Sequence, residues 1–104
     1  MKSISAKELC ALLKEHRQNP KTDIFIDVRY RDEYAKENIP GVMNIPINEL
    51  EAHVKELKDF DNIYVHCQKG GRSAMACEML DEIGFDNVFN VEGGLDAWKE
   101  CQIP

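Results

Sequence analysis

The run Ile63-Tyr64-Val65-His66-Cys67-Gln68-Lys69-Gly70-Gly71-Arg72-Ser73 carries an apolar strand into a glycine-containing loop, opened by a cysteine and closed by an arginine. Continuously apolar, partly β-branched residues suit a strand buried on both faces, which places it in a parallel sheet. Ser73 is read as the N-cap of a helix over Ala74 to Ile83, so Cys67 falls where the strand has ended and the helix has not begun. Backbone N–H groups curling toward a helix N-terminus form a positively polarised nest, which lowers a thiol pKa and favours the nucleophilic thiolate. Gly70 and Gly71 allow dihedrals closed to other residues, and Arg72 supplies a permanent forked cation for a tetrahedral oxyanion. The loop suits a nucleophile and an anion held together.

Plainer readings stand beside this one. Cys67 could be a small packing hydrophobe, although packing needs neither two glycines nor a terminal arginine. Lys69 and Arg72 could be solvated loop charges, with Arg72 the stronger functional candidate because it closes the loop. His66 precedes Cys67 directly, and adjacent strand residues face opposite sides, so it is poorly placed as a base for the thiol and is read as structural.

The remaining pattern alternates strand and helix. Ser5-Ala6-Lys7-Glu8 is a capping box ahead of a helix with an apolar stripe at Leu9, Leu12 and Leu13, ending before Asn19-Pro20. Ile24 to Val28 is a second buried strand, Arg31 to Lys36 a short helix, and Val42 to Ile45 another strand; Pro46 starts a helix through Leu57. Gly84 ends the helix after the loop, Asn87 to Val91 is a last strand, Gly93-Gly94 a turn, and Leu95 to Glu100 a closing helix. This alternation predicts an α/β fold with four or five parallel strands and helices on both faces. Ligands of such sheets bind at the carboxyl ends of strands, where Cys67, Asp27 with Arg29, and Glu92-Gly93-Gly94 all fall. Asp27 or Arg29 is therefore expected to approach the loop, with the Asp27 carboxylate holding Arg72 or accepting loop N–H bonds; an N-cap or surface carboxylate is the alternative for Asp27.

With 104 residues, 43% hydrophobic and 31% charged, the chain predicts one domain over residues 1–104 with a single core. No apolar run approaches the ~20 residues of a membrane span. Met1-Lys2-Ser3-Ile4-Ser5 lacks a secretory apolar region, so a cytoplasmic location is expected. The net charge of -6 argues against nucleic acid or an anionic membrane as partner and makes Lys69 and Arg72 a local positive spot. Cys10, Cys67, Cys77 and Cys101 show neither C-x-x-C spacing nor paired Cys/His clusters, so no metal site is expected. Cys77 and Cys10 read as packing residues, Trp98 and Phe85 as core anchors, and Cys101 as an exposed thiol that could resolve an oxidised Cys67.

Several short motifs, in order, resemble the rhodanese (sulfurtransferase) family: Asp27-Val28-Arg29, Glu33-Tyr34, Ile39-Pro40-Gly41, Asn44-Ile45-Pro46, Cys67 to Arg72, and Val91-Glu92-Gly93-Gly94-Leu95 with Trp98. The match runs from Ile4 to Pro104 and departs from the family at Glu37-Asn38, where Gly-His is common. The resemblance implies a rhodanese-like three-layer fold with a five-stranded parallel sheet. Cys67 would carry sulfur as a persulfide, Gln68, Lys69, Gly70, Gly71 and Arg72 would form its cradle, and Asp27 and Arg29 would support the loop. It further implies a small sulfur donor such as thiosulfate, a persulfide or a polysulfide, an acceptor that is cyanide, a thiol or a protein thiol, and no cofactor. The alternatives are a cysteine-loop phosphatase or arsenate reductase, whose loops place five residues between Cys and Arg where this chain has Gln68 to Gly71, and a non-catalytic binding module on the same fold.

Overall fold

Two central strands, β2 (Asp23–Asp27) and β4 (Asn62–His66), pair in parallel along their whole length, Asp23 opposite Asn62 and Asp27 opposite His66. In the computed structural model, which describes residues 1–102, they are flanked by β3 (Met43–Asn44) on one side and by β5 (Val88–Val91) and β1 (Lys2–Ile4) on the other. The order across the parallel sheet is β1-β5-β4-β2-β3. The final two residues of the family-like stretch lie outside the described residues.

Strand residues alternate in direction, and that alternation builds two cores. Ile24, Ile26 and Val28, with Ile63, Val65 and Cys67, face Leu50, Leu57, Ala76, Cys77 and Leu80, which belong to the segment after β3 and to helix α4 (Gly71–Ile83). Phe25, Tyr64 and Val91 face the other way, against Leu9 and Leu13 of α1 (Ala6–Gln18) and Leu95 of α5 (Gly94–Gln102). Each fully buried leucine or isoleucine contributes about 2 kcal/mol of transfer free energy, so both faces must be covered for the sheet to persist. Phe85 joins the first cluster and Trp98 the second, as core anchors.

Several local details differ from the sequence reading. β1 has three residues and one buried side chain, too little for a periodic signal. The helix expected from Pro46 begins as a 3-10 helix at Ile47–His53 and becomes α-helical only in α3 (Val54–Leu57). Helix α2 (Arg31–Lys36) matches its expected bounds, and α1 begins with the expected capping box: Glu8 N–H donates to Ser5 Oγ and Ser5 N–H to Glu8 Oε1. Among the described residues no helix is long and apolar enough to cross a membrane.

Candidate active site

Cys67 follows the last residue of β4, and its side chain points to the α4 face because it shares the parity of Ile63 and Val65. It is 2% exposed, yet it forms the floor of a surface pocket with Gln68, Lys69, Gly71 and Arg72. The chain then turns tightly: Gly70 adopts φ +115° and N-caps α4, so the helix begins at Gly71, three residues before the predicted start. Only Gly70 needs glycine's freedom here; Gly71 has no positive φ, and a Cβ there would meet nothing within 4 Å.

Ser73, expected to be the N-cap, has another role. Buried inside the first turn of α4, its hydroxyl has one proton and three acceptors in reach, Asn90 Oδ1 (2.5 Å), Gly70 O (3.1 Å) and Cys67 Sγ (3.4 Å), and donates to the sulfur when it turns from the other two. Gly70 N–H donates to Cys67 Sγ at 3.1 Å. Burial alone would raise the thiol's pKa. The Ser73 hydroxyl and the N–H groups of Ser73, Gly70 and Lys69 outweigh it and hold the pKa below its ordinary value. Cys77, on the buried face of α4 and without such donors, is pushed up by desolvation to about 12. Native alkylation read by peptide mass should therefore label Cys67 with a pH midpoint below the ordinary thiol's 9.0 and leave Cys77 unmodified. A Cys67 profile centred at or above 9.0 would show that the loop donors do not outweigh burial.

The carboxylate expected at Arg72 is a different one. Asp27 lies on the opposite face of the sheet from Cys67, with its parity set by Phe25, and its carboxylate takes four contacts from Arg29: backbone N–H to Oδ1 (2.9 Å), Nε shared between Oδ1 and Oδ2 (3.1 Å each), and Nη2 to Oδ2 (2.8 Å). Arg29 does reach the loop, donating from Nη1 to Gln68 Oε1 (3.2 Å) and from Nη2 to Glu37 O (2.6 Å). Gln68 completes the brace by donating to Asp96 Oδ1, so its side-chain amide is tied at both ends, to Arg29 and to Asp96. His66 sits opposite Asp27, its Nε2 3.7 Å from Oδ2; desolvation lowers its pKa, and its strand parity turns the ring away from the thiol.

Arg72 is held by Glu33 of α2. Nη1 donates to Oε1 at 2.7 Å and Nη2 to Oε2 at 2.9 Å, with the Tyr30 ring 5.8 Å from the guanidinium carbon. Hydrogen bonding to Arg72 drives the Glu33 carboxyl down to about 2. Stability from this pair is thus present above the ordinary carboxylate range and lost as pH falls through that value. Glu33 is 39 residues from Arg72; it stands in the sequence as part of the Glu33-Tyr34 motif without a role, and it lies in the first turn of α2, where Oε1 also accepts the Tyr30 N–H.

The loop is closed from behind by the start of α5. Leu95 N–H donates to Cys67 O (2.9 Å) and Asp96 N–H to Gln68 O (3.1 Å), an approach only glycine permits at position 94, where φ is +56° and a Cβ would lie 2.7 Å from Gln68 O. Cys101, at the far end of α5, neighbours Cys10 rather than Cys67; the adjacent Gln102 amide donates to Cys10 Sγ at 3.2 Å.

A thiol at the carboxyl edge of a parallel sheet, ringed by N–H donors at a helix N-terminus, places the molecule among three-layer α/β proteins with a cysteine loop. Over residues 9–101 the chain matches the family described as Rhodanese-like domain, and it belongs to that family. It is 44% identical over 73 residues to YrkF of Bacillus subtilis, covering 70% of this chain and 40% of that protein, so it spans less than half of that relative. Against a protein named Sulfurtransferase from Allochromatium vinosum it is 28% identical over 81 residues, 78% of this chain and 76% of the other. The structure titled human single-domain sulfurtransferase TSTD1 superposes with a TM-score of 0.80 at 27% identity, over 96% of each chain.

Proposed function

We propose that this chain is a rhodanese-type sulfurtransferase that takes sulfane sulfur onto Cys67 from thiosulfate or a similar donor and passes it to a thiophilic acceptor, cyanide or a thiol. The observation that carries this reading is the ring of donors on one buried sulfur: Gly70 N–H at 3.1 Å and the Ser73 hydroxyl at 3.4 Å, with the thiol's pKa lowered. The family membership and the sulfurtransferase names of two relatives support it.

In the first half-reaction the Cys67 thiolate attacks the outer sulfur of thiosulfate, the donor's S–S bond breaks, and sulfite leaves with the electron pair. The new Cys67–S–S⁻ keeps its charge within reach of the loop N–H groups, which supply preorganised stabilisation without reorganising. In the second, a cyanide or thiolate attacks the terminal sulfur, and the Cys67 thiolate is the leaving group. Lys69, exposed at the mouth of the pocket, steers the anion, while Gly70 shapes the turn and Gly71 lines the pocket. Gln68, tied to Arg29 and Asp96, fixes the loop from behind; Asp27 and Arg29 support it by that brace.

Intact mass after incubation with thiosulfate should rise by one sulfur atom, cyanide should remove it as thiocyanate, and peptide mapping should place it on Cys67. Sulfur on Cys77 or Cys101 instead, or none with thiosulfate or polysulfide, overturns the assignment.

A further inference from the structure

We propose that Glu33 sets the charge class of the sulfur donor: by engaging Arg72 it disfavours dianions such as thiosulfate and leaves the loop best suited to a thiol persulfide. The inference deepens the sulfurtransferase reading above and rests on it.

The arginine that closes an anion-binding loop attracts a dianion most strongly when its charge is uncompensated. Here one N–H of each terminal nitrogen goes to the same carboxylate, at 2.7 and 2.9 Å, in a pair about one-third exposed on each side, and the remaining N–H groups belong to a cation whose charge is already matched. The carboxylate is held in turn by the Tyr30 N–H at 3.1 Å, which fixes it to the first turn of α2. The pair is close to neutral as a unit. Arg29 is neutralised likewise by Asp27, on the other face of the sheet. Among the described residues, Lys69 is the cation of the loop with no carboxylate partner.

The consequence is a charge count. Thiosulfate brings two negative charges to a thiolate whose surroundings offer one uncompensated side-chain cation and a few N–H groups. A thiol persulfide brings at most one at its sulfur, and it brings an organic body. Apolar surface is available for that body: Tyr30 and Met75 are exposed large apolar side chains, Tyr30 against Arg72 and Met75 three residues along α4 from it. The step balances without a co-reactant. The Cys67 thiolate attacks the outer sulfur of R–S–SH, the donor's S–S bond breaks as the new one forms, and R–S⁻ departs with the electron pair.

Glu33→Gln tests the idea, because the amide oxygen can still accept the Tyr30 N–H while the charge is gone. Steady-state kinetics would compare thiosulfate with the hydropersulfide of N-acetylcysteine methyl ester, which carries no charge beyond its sulfur. In the wild type, kcat/KM should favour the persulfide at least about tenfold. In Glu33→Gln, KM for thiosulfate should fall about fivefold or more with kcat little changed, a gain that shrinks as salt rises, while KM for the persulfide stays within about twofold. Glu33→Asp should keep the wild-type preference. An unchanged or raised thiosulfate KM in Glu33→Gln, an equal gain for both donors, or a wild type that prefers thiosulfate overturns this role for Glu33 and leaves the sulfurtransferase reading standing. A wild type that accepts sulfur from neither donor overturns both.

Discussion

Cys67→Ser should abolish sulfur transfer, lowering turnover with any sulfane donor at least about a thousandfold. The replacement is nearly isosteric, and Gly70 N–H and the Ser73 hydroxyl can still donate to the new oxygen, so the loop should survive. What is lost is the chemistry. A serine hydroxyl stays protonated under conditions where the donors around position 67 hold a thiol below its ordinary pKa, and oxygen cannot form the S–S bond that stores the transferred atom. Cys101→Ser is the matched control. Cys101 lies beside Cys10 at the far end of α5, and its loss should leave the rate unchanged. Sulfur transfer retained by Cys67→Ser, or lost in Cys101→Ser, would move the chemistry away from the loop.

Asp27→Asn should destabilise the protein by about 3 kcal/mol or more, because it leaves the Arg29 guanidinium buried against a neutral amide. Asp27 is 0% and Arg29 2% exposed, so water cannot substitute for the missing charge. A loss of this size is large against a total stability of about 5–15 kcal/mol. The urea midpoint should fall with an unchanged slope. Adding Arg29→Met should restore part of the loss, since the stranded cation is then removed, but sulfur transfer should stay impaired because Gln68 loses its Arg29 partner. A single-variant change below about 1 kcal/mol would mean that the pair is replaceable by local solvation.

The strand–loop–helix unit at Cys67 was legible because it is local: apolar β-branched residues, a glycine able to take positive φ, and a helical pattern follow one another directly. Its finer geometry was not. Serine outranks glycine as an N-cap in general, but a tight exit from β4 required the left-handed conformation at Gly70, which shifted the helix start and freed Ser73 to face the sulfur. Asp27 was read as a partner for Arg72 because both lie at the same end of the sheet. Strand parity turns Asp27 to the face opposite Cys67, and that relation follows from the register of β2 on β4, which neither strand's own residues specify. The Glu33–Arg72 and Ser73–Asn90 pairs join separate elements, and no periodicity links residues so far apart. β1 escaped because three residues on the edge of a sheet draw their order from β5 rather than from any pattern of their own.

The backing of the loop comes from late in the chain: Asn90 on β5 holds Ser73, and Leu95 and Asp96 bind the carbonyls of Cys67 and Gln68. A ribosome delivers the cysteine well before it delivers these supports. The donors that lower the thiol's pKa, on Lys69, Gly70 and Ser73, follow it directly in the chain; β5 and α5 supply the anchors that hold the loop carbonyls and the Ser73 hydroxyl in place. A chain cut before β5 would therefore carry every donor of the nest and none of its backing.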